Sequence, residues 1–116
     1  MTIADMVRVL HARVLCGGER LDTPVSTACC SDLMSDVLAF VKDQSMLLTG
    51  LINSQVIRTA EMMDIAAICF VRGKTPAGEV IELAKEKDIT LMHTSYPLYT
   101  ACGRLYEKGL GGKENA

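Results

Sequence analysis

The stretch that decides the fold covers residues 46–76 and reads "MLLTGLINSQVIRTAEMMDIAAICFVRGKTP". It begins with an apolar run that ends at Thr49-Gly50, continues with a helix-like segment capped by Asn53 or Ser54, and closes with a second run, "AAICFVRG". Continuous apolar runs of this length are typical of strands covered on both faces. A strand, a helix and a second strand in this order predict a parallel sheet.

The part of the chain before this stretch supplies further elements. The segment "MVRVLHARVLCGG" (6–18) alternates in a β-branched pattern and is predicted to be a strand broken at Gly17-Gly18. A loop and a short strand ending at Cys30 follow, and then a helix is predicted over "SDLMSDVLAFVKD", with Ser31 or Asp32 as its cap. The inward face of that helix is predicted to hold Leu33, Val37 and Phe40 or Val41.

The remainder of the chain continues the alternation. A helix is predicted over "TPAGEVIELAKEKD", with Thr75 as cap and Pro76 as first helical residue, followed by a strand, "ITLMHT", and a final helix that begins near Pro97. Residues 111–116 are expected to be a frayed tail. The sequence therefore predicts a single α/β domain (1–116, core about 5–110) with a mainly parallel central sheet and helices on both faces.

Composition restricts the function classes. With 49% apolar residues the chain should fold, whereas its net charge of −2 and few aromatic residues argue against binding nucleic acid. No run is long enough for a membrane helix and no secretory pattern opens the sequence, so we expect a cytoplasmic protein without membrane contact. Five cysteines without two close pairs predict free thiols, no metal site and no cofactor.

Polar residues collect where predicted strands pass into helices. In a parallel sheet these junctions share one edge, and helix N-termini there favour anions. We therefore predict a ligand site for a small anion or nucleotide. Its predicted residues are Ser31, Asp32, Thr49, Gly50, Asn53, Arg58, Gly73, Lys74 and Thr94. The alternative is that these residues only cap helices, because Ser, Thr, Asp and Asn are the preferred capping residues with or without a ligand.

Motifs for catalysis are weak. Gly-Lys-Thr at 73–75 does not form a phosphate loop of the ATPase type, because Ile68 stands where that loop needs a glycine and Pro76 follows directly. A thiol–imidazole pair of His93 and Cys102 is conceivable, but a histidine with a purely structural role is the favoured interpretation. We predict no catalytic residues and no enzymatic activity.

Three segments together resemble the DRTGG domain: "ACCSDLMSDVLAF", the stretch quoted first, and "HTSYPLYTACGRLYEKGL". The five-letter string itself is absent, although its residue types occur at Asp32, Thr49-Gly50, Arg58-Thr59 and Gly73. The resemblance covers residues 5 to 110 and is strongest to the stand-alone bacterial form, often encoded beside iron-only hydrogenase genes. It implies a fold like the amino-terminal domain of HPr kinase/phosphorylase and a regulatory or assembly role, with catalysis in other domains.

Two functions follow as hypotheses. The first is a non-enzymatic regulatory module, dimeric, that senses a small anionic metabolite or nucleotide at the predicted site. The alternative is an interaction or accessory module for an iron-only hydrogenase or another iron–sulfur oxidoreductase, without a small-molecule site. A homodimer is expected because a small chain with 49% apolar residues carries more hydrophobic surface than one core buries.

Overall fold

Helices and strands alternate along most of the chain. A computed structural model describes residues 1–40 and 45–110. The strands are β1 (Arg13–Cys16), β2 (Thr27–Cys30), β3 (Ser45–Thr49), β4 (Ala67–Phe70) and β5 (Thr90–His93). The α-helices are α1 (Ile3–Leu10), α2 (Met34–Phe40), α3 (Ser54–Met62), α4 (Gly78–Glu86) and α5 (Leu98–Glu107), and a short 3-10 helix covers Gly18–Arg20.

The strands form one sheet in the order β1-β5-β4-β3-β2. The four strands from β2 to β5 are parallel, and β1 lies antiparallel against β5 at one edge. Each parallel neighbour is reached through one of the helices α2, α3 and α4, as parallel pairing requires. The prediction of an α/β domain with a mainly parallel sheet is confirmed.

Helices cover both faces of the sheet. Alternation along the strands directs Leu47, Ile68 and Leu91 to one face, where they pack with α2, α3 and α4. Met46, Cys69 and other intervening residues face the opposite side and pack with α1 and α5. Every residue of β3 and β4 is buried, which explains why β4 is apolar throughout and why β3 is apolar between its polar ends, Ser45 and Thr49.

The first element differs from the prediction. Residues 3–10 form a helix, and only Arg13–Cys16 of the predicted strand over 6–18 is a strand. Thr2 and Asp5 form a capping box, in which the Thr2 hydroxyl accepts from the Asp5 amide at 3.3 Å and the Asp5 carboxylate accepts from the Thr2 amide at 2.8 Å. Ile3, Met6 and Leu10 are buried at helical spacing, and this burial overrides the β-branched alternation.

Two predicted helix starts are also corrected. α2 begins at Met34 with Met34 and Val37 buried, whereas Leu33, predicted to face inward, is 57% exposed. α4 begins at Gly78, with Ala77 as its cap residue and no capping side chain, and the hydroxyl of Thr75, the predicted cap, contacts Nδ1 of His93 at 3.3 Å. The predicted positions of the Phe40 side chain, Val41 and the tail 111–116 lie outside the described residues.

The cysteines correct a further expectation. Cys30 at the end of β2 and Cys102 in α5 form a disulfide across 72 residues, with their Cα atoms 6.7 Å apart. Cys16, Cys29 and Cys69 are free, as predicted. The pairing could not be foreseen, because the two cysteines are brought together only when α5 packs on the sheet.

Two features are absent from residues 1–40 and 45–110, a membrane-spanning helix and a metal-binding cluster. None of the helices there has the length and apolar character to cross a membrane. The same residues contain no group of three or more His, Cys, Asp and Glu side chains placed to hold a metal ion.

Candidate functional site

The carboxyl ends of β2, β3, β4 and β5 lie along one edge of the sheet, which we call the strand-end border. Parallel pairing with matched register brings the turns after these strands together. The turns after β4 and β5 are bonded to each other, since the Arg72 amide donates to Tyr96 O and the Gly73 amide donates to Thr94 O, both at 2.8 Å. The border consists of residues 31–32, 49–50, 71–75 and 94–96.

Asp32 is the centre of the polar contacts at this border. Its Oδ1 accepts from the Gly50 amide at 2.6 Å and from the Thr49 hydroxyl at 3.1 Å. The bond from the Gly50 amide lowers the pKa of Asp32, and the Thr49 hydroxyl, Arg72 and Lys74 act in the same direction, whereas partial burial opposes them. The carboxylate therefore joins the ends of β2 and β3 and remains ionised at neutral pH.

Arg72 faces this carboxylate from the turn after β4. Its guanidinium lies 3.8 Å from Oδ2 of Asp32, and the two side chains are 46% and 48% exposed, so solvent reaches both. The guanidinium also lies over Gly50, where an added Cβ would overlap it. Gly50 is therefore the residue type that lets the arginine approach the end of β3.

Lys74, in the same turn, also contacts Gly50. Its Nζ donates to Gly50 O at 2.9 Å. Arg72 and Gly73 both have positive φ, 60° and 71°, so the chain reverses tightly between the two cations. Two positive side chains and one carboxylate thus converge on Gly50.

Other predicted residues have local structural contacts. Thr94 is 3% exposed, and its hydroxyl donates to Leu10 O at 2.7 Å and accepts from the Tyr96 amide at 3.3 Å. Thr49 is fully buried, and its hydroxyl donates to the Asp32 carboxylate. The Ser31 hydroxyl accepts from the Leu33 amide at 3.0 Å. Thr94 and Thr49 consequently hold the border in shape and offer little surface to a ligand.

Asn53 and Arg58 lie away from the contacts around Asp32, in a separate cleft. The Asn53 side chain caps α3 by accepting from the Gln55 amide at 3.1 Å. Both residues line a cleft of about 650 Å³ between α3 and α4. Its other lining residues are Ile52, Ser54, Ala77, Glu79, Val80, Leu83 and Glu86. The structure therefore joins Asp32, Thr49, Gly50 and Lys74 in one network and places Asn53 and Arg58 outside it.

Sequence reasoning missed Arg72. The run "AAICFVRG" predicts one continuous strand, but β4 ends at Phe70, and the arginine therefore belongs to the turn. The sequence feature that points to Arg72 as a site residue is its position directly before Gly73-Lys74, where a strand-to-helix turn is predicted.

The conceivable thiol–imidazole pair is not formed. Cys102 is bonded to Cys30, and Nδ1 of His93 contacts the Thr75 hydroxyl. Neither side chain is therefore available to the other as a nucleophile and base.

Comparison with known families identifies the domain. The model of the DRTGG domain matches residues 5–107. The chain belongs to the DRTGG domain family. The same fold occurs in the crystal structure of the CBS and DRTGG domains of the regulatory region of Clostridium perfringens pyrophosphatase, complexed with its activator, diadenosine tetraphosphate.

The likeness to that DRTGG structure is one of fold. The TM-score is 0.73 at 20% sequence identity over 90% of this chain, and the chain spans 45% of the pyrophosphatase chain. A search of curated proteins gave no match.

The Asp32 contacts predict a pH-dependent stability. A carboxyl whose pKa is lower in the folded state stabilises the fold above the unfolded pKa of about 3.9, and this contribution is lost as the pH falls through the folded value. Asp32→Asn keeps an acceptor but removes the charge, and it should cost about 1 kcal/mol at neutral pH because the side chain is half exposed.

Urea unfolding at about pH 7 and pH 2.5 measures this difference. The destabilisation by Asp32→Asn should shrink at the acidic pH, whereas Asp22→Asn, which removes an exposed carboxylate in the turn after the 3-10 helix, should have the same small effect at both pH values. An equal cost of Asp32→Asn at both pH values would contradict the charge-assisted contact.

Proposed function

We propose that this DRTGG domain is a regulatory module that binds a small anionic metabolite or a nucleotide at the strand-end border. The observation that supports the proposal is the convergence of Arg72 and Lys74 on Gly50 beside Asp32. The two cations outnumber the carboxylate, and Arg72 and Asp32 are about half exposed. The local field therefore favours an anion.

Each charged residue has a distinct role in the proposal. Arg72 presents a planar fork of N–H donors that matches two oxygens of a phosphate, and Lys74 adds a compact second charge. Oδ1 of Asp32 is occupied by Gly50 and Thr49, whereas Oδ2 faces Arg72. A ligand phosphate would displace Oδ2 of Asp32 from Arg72 and would itself contact the guanidinium. The freed Oδ2 would then accept from a hydroxyl of the ligand.

Nucleotides are the first ligand class to test. The pyrophosphatase regulatory region with the same fold was complexed with diadenosine tetraphosphate, a nucleotide activator. At 20% identity this supports the choice of ligand class without assigning residues to it.

The proposal contains no chemical step. A general acid or base works best when its pKa lies near the working pH, and the Gly50 amide and the neighbouring cations move the pKa of Asp32 in the opposite direction. Asp32 therefore suits the role of an ionised acceptor, which pairs with Arg72 in the absence of ligand and accepts from a ligand hydroxyl in the complex.

Titration calorimetry and thermal shift with a panel of mono- and dinucleotides test the proposal. A ligand present at 100 times its Kd should stabilise the fold by about 2.7 kcal/mol. Arg72→Gln and Lys74→Gln should each weaken binding about tenfold, which corresponds to about 1.4 kcal/mol for one lost charged contact.

Lys85→Gln is the matched control, since Lys85 pairs with Glu82 in the last turn of α4 and should leave binding unchanged. A panel in which no nucleotide or other anion shifts the unfolding transition would contradict the proposal. Equal effects of the border variants and the control would contradict it as well.

We also propose a homodimer through the exposed face of α5. Tyr99 and Tyr106 are 90% and 64% exposed and stand seven residues apart, so both lie on one side of the helix. Exposed tyrosines on a single face favour a protein contact.

Sedimentation at micromolar concentration should give a dimer that dissociates in the double variant Tyr99→Ser/Tyr106→Ser. Met62→Ser, which changes a 71% exposed residue on α3, should leave it intact. A wild-type monomer would contradict the dimer and would leave this face for another protein, such as the iron–sulfur oxidoreductase of the alternative hypothesis.

A further inference from the structure

The disulfide between Cys30 and Cys102 lies next to the strand-end border. Cys30 is the last residue of β2 and stands two residues before Asp32. Both cysteines are partly exposed, and Cys102 lines a surface cleft together with Tyr99 and Tyr106. A small thiol or disulfide can therefore reach the pair from solvent when no second copy covers this face of α5.

The second cysteine is connected to the opposite side of the border. Cys102 belongs to α5, which begins directly after the turn that contains Tyr96. Tyr96 O accepts from the Arg72 amide at 2.8 Å. One sulfur is therefore tied to the segment that carries Asp32, and the other to the turn that holds Arg72.

The disulfide and the ion pair consequently close one ring of contacts. Along one arm the chain runs from Cys30 to Asp32, which lies 3.8 Å from Arg72. Along the other arm, Arg72 is held by Tyr96, and α5 leads back to Cys102. Opening the ring at the sulfurs removes a covalent restraint on the spacing of the two charged residues.

We propose that Cys30 and Cys102 are a reversible thiol–disulfide site whose oxidation fixes Asp32 against Arg72 and whose reduction loosens the strand-end border. This inference concerns the empty protein and does not require the proposed ligand.

The chemistry is thiol–disulfide exchange with a small-molecule disulfide. The thiolate of one cysteine attacks a sulfur of the reagent, forms a mixed disulfide and releases one reagent thiol. The second cysteine then attacks the protein sulfur of the mixed disulfide and releases the other reagent thiol. Two protein thiols lose two electrons and two protons in total, and the reagent disulfide gains them as two thiols.

The other cysteines are poorly suited to this exchange. Burial raises the pKa of Cys69 to about 12, and burial also raises the pKa of Cys16 and Cys29. Thiols with raised pKa form little of the reactive thiolate. Cys29 packs against the core on the α2–α3–α4 face of the sheet, away from Cys102. Exchange should therefore be confined to the bonded pair.

The first test equilibrates the full chain in buffers of reduced and oxidised glutathione, traps free thiols with N-ethylmaleimide after denaturation, and counts the labels by mass spectrometry. Oxidised protein should carry three labels, at Cys16, Cys29 and Cys69, and reduced protein five, with one two-electron transition between them. A pair that stays free in oxidised glutathione, or that is reduced only in denaturant, would overturn the proposal.

The second test measures hydrogen exchange in the oxidised and reduced chain without ligand. Reduction should speed exchange of the Gly50 and Arg72 amides about fivefold or more, the lower end of usual coupling between sites. Exchange of Ile68 and Leu91, at the centre of the sheet, should not change, which distinguishes a local effect from general unfolding.

Variants complete the design. Cys30→Ser and Cys102→Ser should show the fast exchange in both redox buffers, whereas Cys29→Ser should respond as the wild type does. Border amides that exchange equally in oxidised and reduced wild-type protein would overturn the proposal and leave the disulfide with a structural role only. Because no nucleotide is added, failure of the proposed ligand would not change either result.

Discussion

The carboxylate of Asp32 holds the strand-end border together. It accepts from the Gly50 amide and the Thr49 hydroxyl, and in this way it joins the carboxyl ends of β2 and β3. Among the described residues, β2 pairs with β3 alone in the sheet, and its end is held by the Asp32 contacts, by the bond from the Ser31 amide to Leu48 O and by the disulfide at Cys30. The same carboxylate sets where Arg72 can lie, since the guanidinium is placed between Oδ2 and Gly50. Among residues 1–40 and 45–110, Asp32 is the carboxylate that pairs with Arg72, and it also lies near Lys74.

The strand-end border combines geometry, rigidity and exposed charge, which come from different parts of the sequence. Parallel register supplies the geometry, because β2, β3, β4 and β5 all end at one edge. Buried hydroxyls supply rigidity, since Thr49 donates to the Asp32 carboxylate and Thr94 donates to Leu10 O. In the proposed function, the exposed charges recognise the ligand, and the rigid frame presents groups that a ligand would rearrange at low cost.

Much of this arrangement could be predicted from the sequence. The order β3–α3–β4 followed from uninterrupted apolar runs around a segment capped by Asn53, and the shared edge followed from parallel pairing. Val7 and Val9 alternate as in a strand, so the sequence does not predict helix α1. The capping box at Thr2, which marks the start of this helix, lies before the alternating run. Arg72 was missed because the end of β4 is set by the pairing of Phe70 with His93, which local sequence does not report. The pairing of Cys30 with Cys102 depends on packing across 72 residues.

The central role of Asp32 is tested most directly by the chemical shift of the Gly50 amide as a function of pH, measured by NMR of the full chain labelled with ¹⁵N. The amide donates to Asp32 at 2.6 Å, so its shift should follow the ionisation of that carboxyl, with a midpoint below the usual Asp value of about 3.9. The titration should vanish in Asp32→Asn. A Gly50 amide that does not titrate in the wild type, or that titrates unchanged in the variant, would contradict the central role of Asp32.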